Sequence, residues 1–205
     1  AARCIPFPQN IDFVQASAFV MTYGTSHHAL KDRAHLKKGE TLLVLGAAGG
    51  VGIAAVEIGK IMGARVIAAC SSQEKVDFCK AHGADDGIVY PQNPLDRDAQ
   101  KKLSDDLKKL IGGDGANVIY DGVGGDYAEP ALRSIAWEGR YLVVGFPAGI
   151  PAIPLNLTLL KGCQIVGVFW GAFTAREPKR NQENLQELMG WIQQGKLKPT
   201  VSKTY

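Results

Sequence analysis

The run Leu45-Gly46-Ala47-Ala48-Gly49-Gly50-Val51-Gly52 limits what this chain can fold into more than any other stretch. Thr41 to Leu45, ahead of it, reads as a short buried strand. Gly50 to Met62, which it opens, is apolar nearly all round and reads as a helix. A Gly63-Ala64 break ends that helix, and a second strand follows at Arg65–Ala69. Strand, glycine turn, helix and returning strand in this order form the setting in which a dinucleotide pyrophosphate is bound. Gly49 is expected to make the tight turn. Gly50 would let the backbone approach a phosphate without a Cβ clash, and Gly52 would let the helix pack closely on the sheet. The anion would then meet the unsatisfied N–H groups at the helix start.

The same alternation continues. Ser72 can cap a helix that carries Val76, Phe78 and Cys79 and stops at Gly83, and Ile88–Tyr90 is a third strand. Leu103, Leu107, Leu110 and Ile111 fall at helical spacing between Arg97 and Ile111. Strands are expected at Asn117–Asp121, Arg140–Val144 and Gln164–Phe169, with helices at Tyr127–Ile135, near 156–161 and at Asn181–Gln194. Six strands joined by helices predict an α/β fold, a Rossmann-type doubly wound six-stranded parallel sheet in three αβα layers. Residues 1–38 stand outside the alternation. Asp12 and Gln15 resemble a capping box ahead of an apolar helix, which a break at Gly24 should interrupt. Residues 198–205 read as a strand-like tail without a partner.

Composition narrows the partners. The chain has 205 residues, 46% hydrophobic and 21% charged, which suits one domain or one with part of another. A net charge of +3 argues neither for nor against acidic partners such as nucleic acid, and no nucleic-acid partner is expected. The densest basic stretch, Lys31–Lys38, reads as a solvated helix end. No uncharged apolar run is long enough for a membrane span, and no secretory signal opens the chain. Cys4, Cys70, Cys79 and Cys163 form no C-x-x-C pair, and no histidine cluster has zinc-ligand spacing, so no metal site is expected. The cysteines read as buried, inert thiols of a reducing compartment. The cytoplasm is the expected location. A mitochondrial address is the alternative, since the chain opens Ala1-Ala2-Arg3 without an initiator Met.

The end of the second strand bears on which dinucleotide binds. An acidic residue there would take the ribose 2′-hydroxyl of NAD and repel a 2′-phosphate. This strand ends Cys70-Ser71-Ser72-Gln73-Glu74-Lys75. Ser71 and Ser72 offer hydroxyls and Lys75 a cation, which favours NADPH; Ser72 can serve as a helix cap as well.

Lys38–Gly52, Ala81-His82-Gly83-Ala84-Asp85 and Asp121-Gly122-Val123-Gly124-Gly125 together resemble the medium-chain dehydrogenase/reductase superfamily, in its quinone-oxidoreductase branch. The resemblance covers nearly the whole chain. It implies cofactor contacts at Thr25 near the nicotinamide, at Gly49, Gly50 and Val51 on the pyrophosphate, and at Ser71 and Lys75 on the 2′-phosphate. It also implies contacts at Tyr90 beside the adenosine phosphate, at Val123 beneath the cofactor, and at Phe146, Phe169 and Trp170 around the carboxamide. The implied activity is zinc-independent hydride transfer from NADPH to quinones or other α,β-unsaturated carbonyls. A zinc alcohol dehydrogenase, an enoyl reductase and a non-catalytic, crystallin-like NADPH-binding protein remain as alternatives. A short-chain dehydrogenase is disfavoured, because no tyrosine has a lysine four residues later. No residue stands out as catalytic. The resemblance further implies that residues 1–38 lead in from a substrate domain, 39–195 form the dinucleotide-binding domain, and 196–205 begin a return segment. The sixth strand should lie at the sheet edge, where Ile165–Phe169 would pair two copies as a homodimer.

Overall fold

The structure, a computed structural model, describes residues 5, 7–9 and 11–201. Cys4 and the end of the expected tail, 202–205, lie outside the described residues. Six strands make one sheet: β1 (Thr41–Leu45), β2 (Arg65–Cys70), β3 (Asp86–Val89), β4 (Ala116–Asp121), β5 (Ile135–Val143) and β6 (Gln164–Gly167). Their order is β3-β2-β1-β4-β5-β6, and every pair is parallel. The expected Rossmann-type sheet is therefore the fold.

Helices cover both faces. On one lie α1 (Phe13–His27), α2 (Gly50–Ile61), α3 (Gln73–Ala81) and α8 (Pro178–Gln193). On the other lie α4 (Arg97–Ile111), α5 (Ala128–Arg133) and α6 (Asn156–Lys161). Successive strand residues serve opposite layers. Leu42, Val44, Val66, Ala68 and Val118 join the first core, while Leu43, Leu45, Ile67, Ala69 and Ile119 join the second. Burial on both faces is why these strands read as continuous apolar runs.

The N-terminal segment packs onto this body. Asp12 Oδ1 accepts from Gln15 N at 2.8 Å and Gln15 Oε1 from Asp12 N at 3.3 Å, so the capping box forms. The expected break at Gly24 is absent. The helix runs through to His27 and widens into a π-helical stretch, His28–Arg33. Gly24 serves packing instead. A Cβ there would stand 2.8 Å from the indole of Trp170, which opens α7 (Trp170–Arg176), a helix the apolar pattern did not suggest. β6 accordingly stops at Gly167 rather than Phe169.

The expected solvated helix end is exposed at Arg33, His35, Lys37 and Lys38, but its one acid is not. Asp32 is buried, accepting from His28 Nδ1 and Asn184 Nδ2 at 2.7 Å each and pairing with Arg180 at 2.9 Å. Burial alone would raise its carboxyl. The hydrogen bonds from His28 and Asn184 and the Arg180 charge overcome that and hold it down to about 2. Residues 196–201 form no strand. They are pinned by Leu197, which is buried, and by Thr200, whose N donates to Tyr23 Oη and whose Oγ1 donates to Glu57 Oε1, both at 3.0 Å.

Gly52 holds α2 against the strand it follows. A Cβ there would lie 2.2 Å from the Gly46 carbonyl oxygen and 2.9 Å from Ala47 Cα, both backbone atoms with little room to yield. Helix propensity alone would make Gly52→Ala stabilising by about 1 kcal/mol. Overpacking of this kind outweighs that gain, so the variant is expected to lose about 2 kcal/mol. Urea denaturation checks it: a lowered midpoint at unchanged slope is expected, and a raised midpoint would show that the turn relaxes freely.

Candidate cofactor-binding site

Because all six strands run the same way, the loops after them share one edge of the sheet. β1 and β4 are neighbours there although β2 and β3 intervene in sequence, which makes the gap between their ends the switch point of the fold. The glycine loop lies at this gap. Its tight turn is made by Gly46, at φ +67°, and not by Gly49, whose φ of −75° and ψ of 165° are extended. That corrects the role expected of Gly49, which instead caps α2 without a side chain. Gly49 and Gly50 are exposed. The first bond of the helix runs from Ile53 N to Gly49 O at 2.8 Å, so the N–H groups of Gly50, Val51 and Gly52 precede the intrahelical ladder. An open helix start of this kind attracts anions through those donors and the helix dipole.

Buried polar groups hold the loop. Ser26 Oγ donates to Val51 O at 2.7 Å and, its proton thus engaged, accepts from Tyr120 Oη at 2.9 Å. Burial drives the Tyr120 phenol well above its ordinary range, so it stays a donor. This clamp ties α1, the start of α2 and the end of β4 together. Val123, an expected contact, leans on the turn: a Cβ on Gly46 would meet its Cγ2 at 2.8 Å. Asp121 organises the next loop. Its Oδ1 accepts from Val123 N and Gly124 N, both at 2.8 Å, and its other oxygen accepts from the Tyr141 hydroxyl. Burial raises the Asp121 carboxyl, with these three bonds pulling the other way. Gly125 N then donates to Gly149 O at 2.7 Å and Ala148 N to Val123 O at 2.9 Å, which locks the loop after β5 to the loop after β4. Ser26, Tyr120 and Tyr141 were missed in the sequence, where they look like ordinary core positions. Asp121 had a signal, an Asp closing a strand ahead of a glycine turn.

The corner after β2 brings two expected residues into contact. Lys75 Nζ donates to Ser71 Oγ at 2.7 Å, and both side chains are exposed. Ser72 caps α3, accepting from Lys75 N at 3.4 Å. Tyr90 follows β3, its N bonded to Cys70 O at 2.9 Å and its ring 4.6 Å from that of Tyr127. Burial, before the charges of its neighbours, pushes its phenol up to about 12. At the opposite end of the edge, Phe146 and Phe169 are exposed, and Phe146 O accepts from Gly149 N at 2.9 Å. The Trp170 ring is committed to Gly24, and its Nε1 donates to Asn181 Oδ1 at 3.2 Å. Thr25, half-buried, lies on the α1 turn between Gly24 and Ser26.

A parallel sheet in this order, with a glycine loop at its switch point, defines a domain of the dinucleotide-binding Rossmann class. Residues 50–194 match the zinc-binding dehydrogenase family, and the chain belongs to it, among the medium-chain dehydrogenase/reductases. It is 38% identical over 201 residues to a quinone oxidoreductase-like protein 2 homolog of Nematostella vectensis, covering 97% of this chain and 53% of that protein. A mycobacterial quinone oxidoreductase structure superposes with a TM-score of 0.84 at 27% identity, over 96% of this chain and 57% of that one. The Thermus thermophilus quinone oxidoreductase, solved also as its NADPH complex, gives a TM-score of 0.77 at 30% identity, over 96% and 60%. The chain spans about half the length of the curated relatives it matches. The family's description names zinc. Among the described residues no three His, Cys, Asp or Glu side chains are grouped to hold a metal ion.

The Ser26–Tyr120 clamp has a measurable signature. Ser26→Ala leaves the Tyr120 hydroxyl buried without an acceptor and is expected to lower stability by about 1–3 kcal/mol. Adding Tyr120→Phe removes the stranded donor and should recover part of that loss. Denaturant titration of the two single variants and the double variant measures the coupling; strictly additive losses would mean that the hydroxyls are not linked.

Proposed function

We propose that this chain is the NADPH-binding domain of a zinc-independent oxidoreductase that reduces quinones or other electron-poor, α,β-unsaturated carbonyls. The contact between Lys75 and Ser71, at the same end of the sheet as the α2 start that no side chain caps, carries the reading most directly. A 2′-phosphate adds nearly two negative charges, and this corner offers it an ammonium and hydroxyls where an NAD site would offer a carboxylate. In this reading Gly49, Gly50 and Val51 receive the pyrophosphate through the α2 N–H groups, and Tyr90 borders the adenosine side. Thr25, Val123, Phe146, Phe169 and Trp170 surround the nicotinamide end.

Bound NADPH would supply the hydride, and the chain's own task is orientation. Asp121, Tyr120 and Tyr141 do that by holding loops; each is buried and already hydrogen-bonded, so none is assigned as an acid or base. Residues 1–38 and 196–205 are proposed to connect to a substrate domain that completes the cleft, so the domain alone should bind cofactor without turnover. The names of the relatives support the substrate class, and the NADPH complex of the Thermus thermophilus relative supports the cofactor.

Calorimetric titration tests this. NADPH is expected to bind more tightly than NADH, and Lys75→Ala to weaken NADPH by about tenfold while leaving NADH unchanged. Equal affinities, or no effect at Lys75, would reject the 2′-phosphate assignment. Metal analysis of the full-length protein belongs beside it, since stoichiometric zinc would place the protein in the alcohol-dehydrogenase branch.

We also propose a homodimer through β6. It is an edge strand, Gln164, Ile165 and Gly167 are exposed along it, and the preceding α6 shows Leu159 and Leu160 to solvent. Trp137, on the bulge where β5 shifts register, is exposed beside Gly162 and extends the apolar surface. Unpaired strand edges and exposed apolar patches of this kind favour association. Light scattering after size exclusion should return twice the chain mass, and Ile165→Asp should return the monomer. A wild-type monomer at tens of micromolar would reject this interface.

A further inference from the structure

Cys70 closes β2 and Cys79 lies on α3, and their sulfurs are 3.7 Å apart. The two residues are 1% and 0% exposed. Burial agrees with the sequence reading, but inertness does not follow from the geometry. Cys163 belongs to the core on the other face of the sheet, so the pair is isolated from it.

The two sulfurs are not equivalent. Cys70 accepts a hydrogen bond from the Cys79 thiol, and the backbone N–H groups of Ala48 and Ala47 in the glycine loop face it, with the Lys75 charge further off. Together these outweigh burial and bring the Cys70 thiol below its ordinary value, while the hydrogen bond and burial push Cys79 up. Cys70 is the better nucleophile and Cys79 holds the proton. The pair also sits where movement would matter. Ser71 follows Cys70 directly, and Lys75 precedes Cys79 by about one turn of α3.

We propose that Cys70 and Cys79 form a reversible disulfide that weakens the 2′-phosphate corner, an effect that rests on the NADPH reading above. The oxidant is hydrogen peroxide, a small neutral molecule. The Cys70 thiolate attacks one peroxide oxygen, forming the S–O bond and breaking O–O, and the departing hydroxide takes the thiol proton as water. Cys79 sulfur then displaces the sulfenic hydroxyl, forming S–S, and its own proton leaves with that hydroxyl as a second water. Two thiols and one peroxide give one disulfide and two waters. The bonded sulfurs lie about 2.0 Å apart, so the two sulfurs must approach by about 1.7 Å, through their own torsions and any accompanying shift of α3 on the end of β2. Ser72 and Lys75 travel with α3 in such a shift, and the Cys70 sulfur turns from the N–H groups of the glycine loop.

The test treats the chain with peroxide, alkylates it under denaturing conditions and maps the peptides by mass. A Cys70–Cys79 crosslink is expected, with Cys163 alkylated and dithiothreitol reversing the link. NADPH titration of the oxidised chain is expected to show affinity about tenfold lower, restored on reduction. No crosslink overturns the proposal, as does a crosslink that leaves NADPH affinity unchanged. If the reduced chain binds no NADPH, the cofactor reading fails, while the disulfide still stands or falls on the mass.

Discussion

Helix α2 meets the end of β1 at Gly52, where backbone presses on backbone with no space for a methyl group. The direction of the helix, and so the place where its first N–H groups point, depends on that contact. The consequences spread along the edge of the sheet. α1 lies over α2, and Ser26 fastens the two at Val51 O. Val123 packs on the Gly46 turn, Asp121 shapes the Val123 loop, and Gly125 and Ala148 bind that loop to the one after β5. Four separate pieces of chain are thereby fixed around one gap between β1 and β4.

Polar groups follow the same division. Those beneath the loops are paired and dry: Ser26 with Tyr120, and Asp121 with Tyr141 and two backbone donors. Left unpaired at such depth, each would be destabilising by about 1–3 kcal/mol. The α2 donors, in contrast, lie at a loop whose Gly49 and Gly50 are exposed, where solvent can reach the helix start. Among the described residues, the buried side-chain polar atoms without a partner are His27 Nδ1 and Ser104 Oγ, on α1 and α4 rather than in the glycine loop.

The sheet was legible because strands buried on both faces leave unbroken apolar runs, and glycines between them mark turns that few other residues can make. That Ser71 and Lys75 share one corner was legible for a related reason, since position after the second strand fixes what a side chain can reach. Gly24 was misread because a glycine inside a helix looks the same whether it breaks the helix or admits a neighbour. Only the Trp170 ring, distant in sequence, distinguishes the two. Asp32 was misread likewise: its partners Arg180 and Asn184 come from α8. The turn was placed at Gly49 rather than Gly46 because the spacing of glycines does not say which one takes positive φ. The Cys70–Cys79 approach depends on how α3 rotates over β2, which periodicity leaves undetermined.

These differences share a pattern that bears on how such a domain can change. Residues that the sequence suggests as ligand contacts, Ser71 and Lys75, are exposed around the start of α3, where substitution alters stability by only a few tenths of a kcal/mol. Residues that aim the backbone, Gly52, Ser26, Tyr120 and Asp121, are buried, and stability and loop geometry change together when they do. On the proposed NADPH reading, cofactor preference can therefore shift without loosening the cleft, whereas the cleft cannot be reshaped without risking the fold. Cys70 belongs to both sets, a core residue by burial yet joined in sequence to Ser71 and facing the glycine loop through its sulfur. Covalent change at that atom reaches the exposed corner through the rigid part of the structure, a route that no surface substitution has.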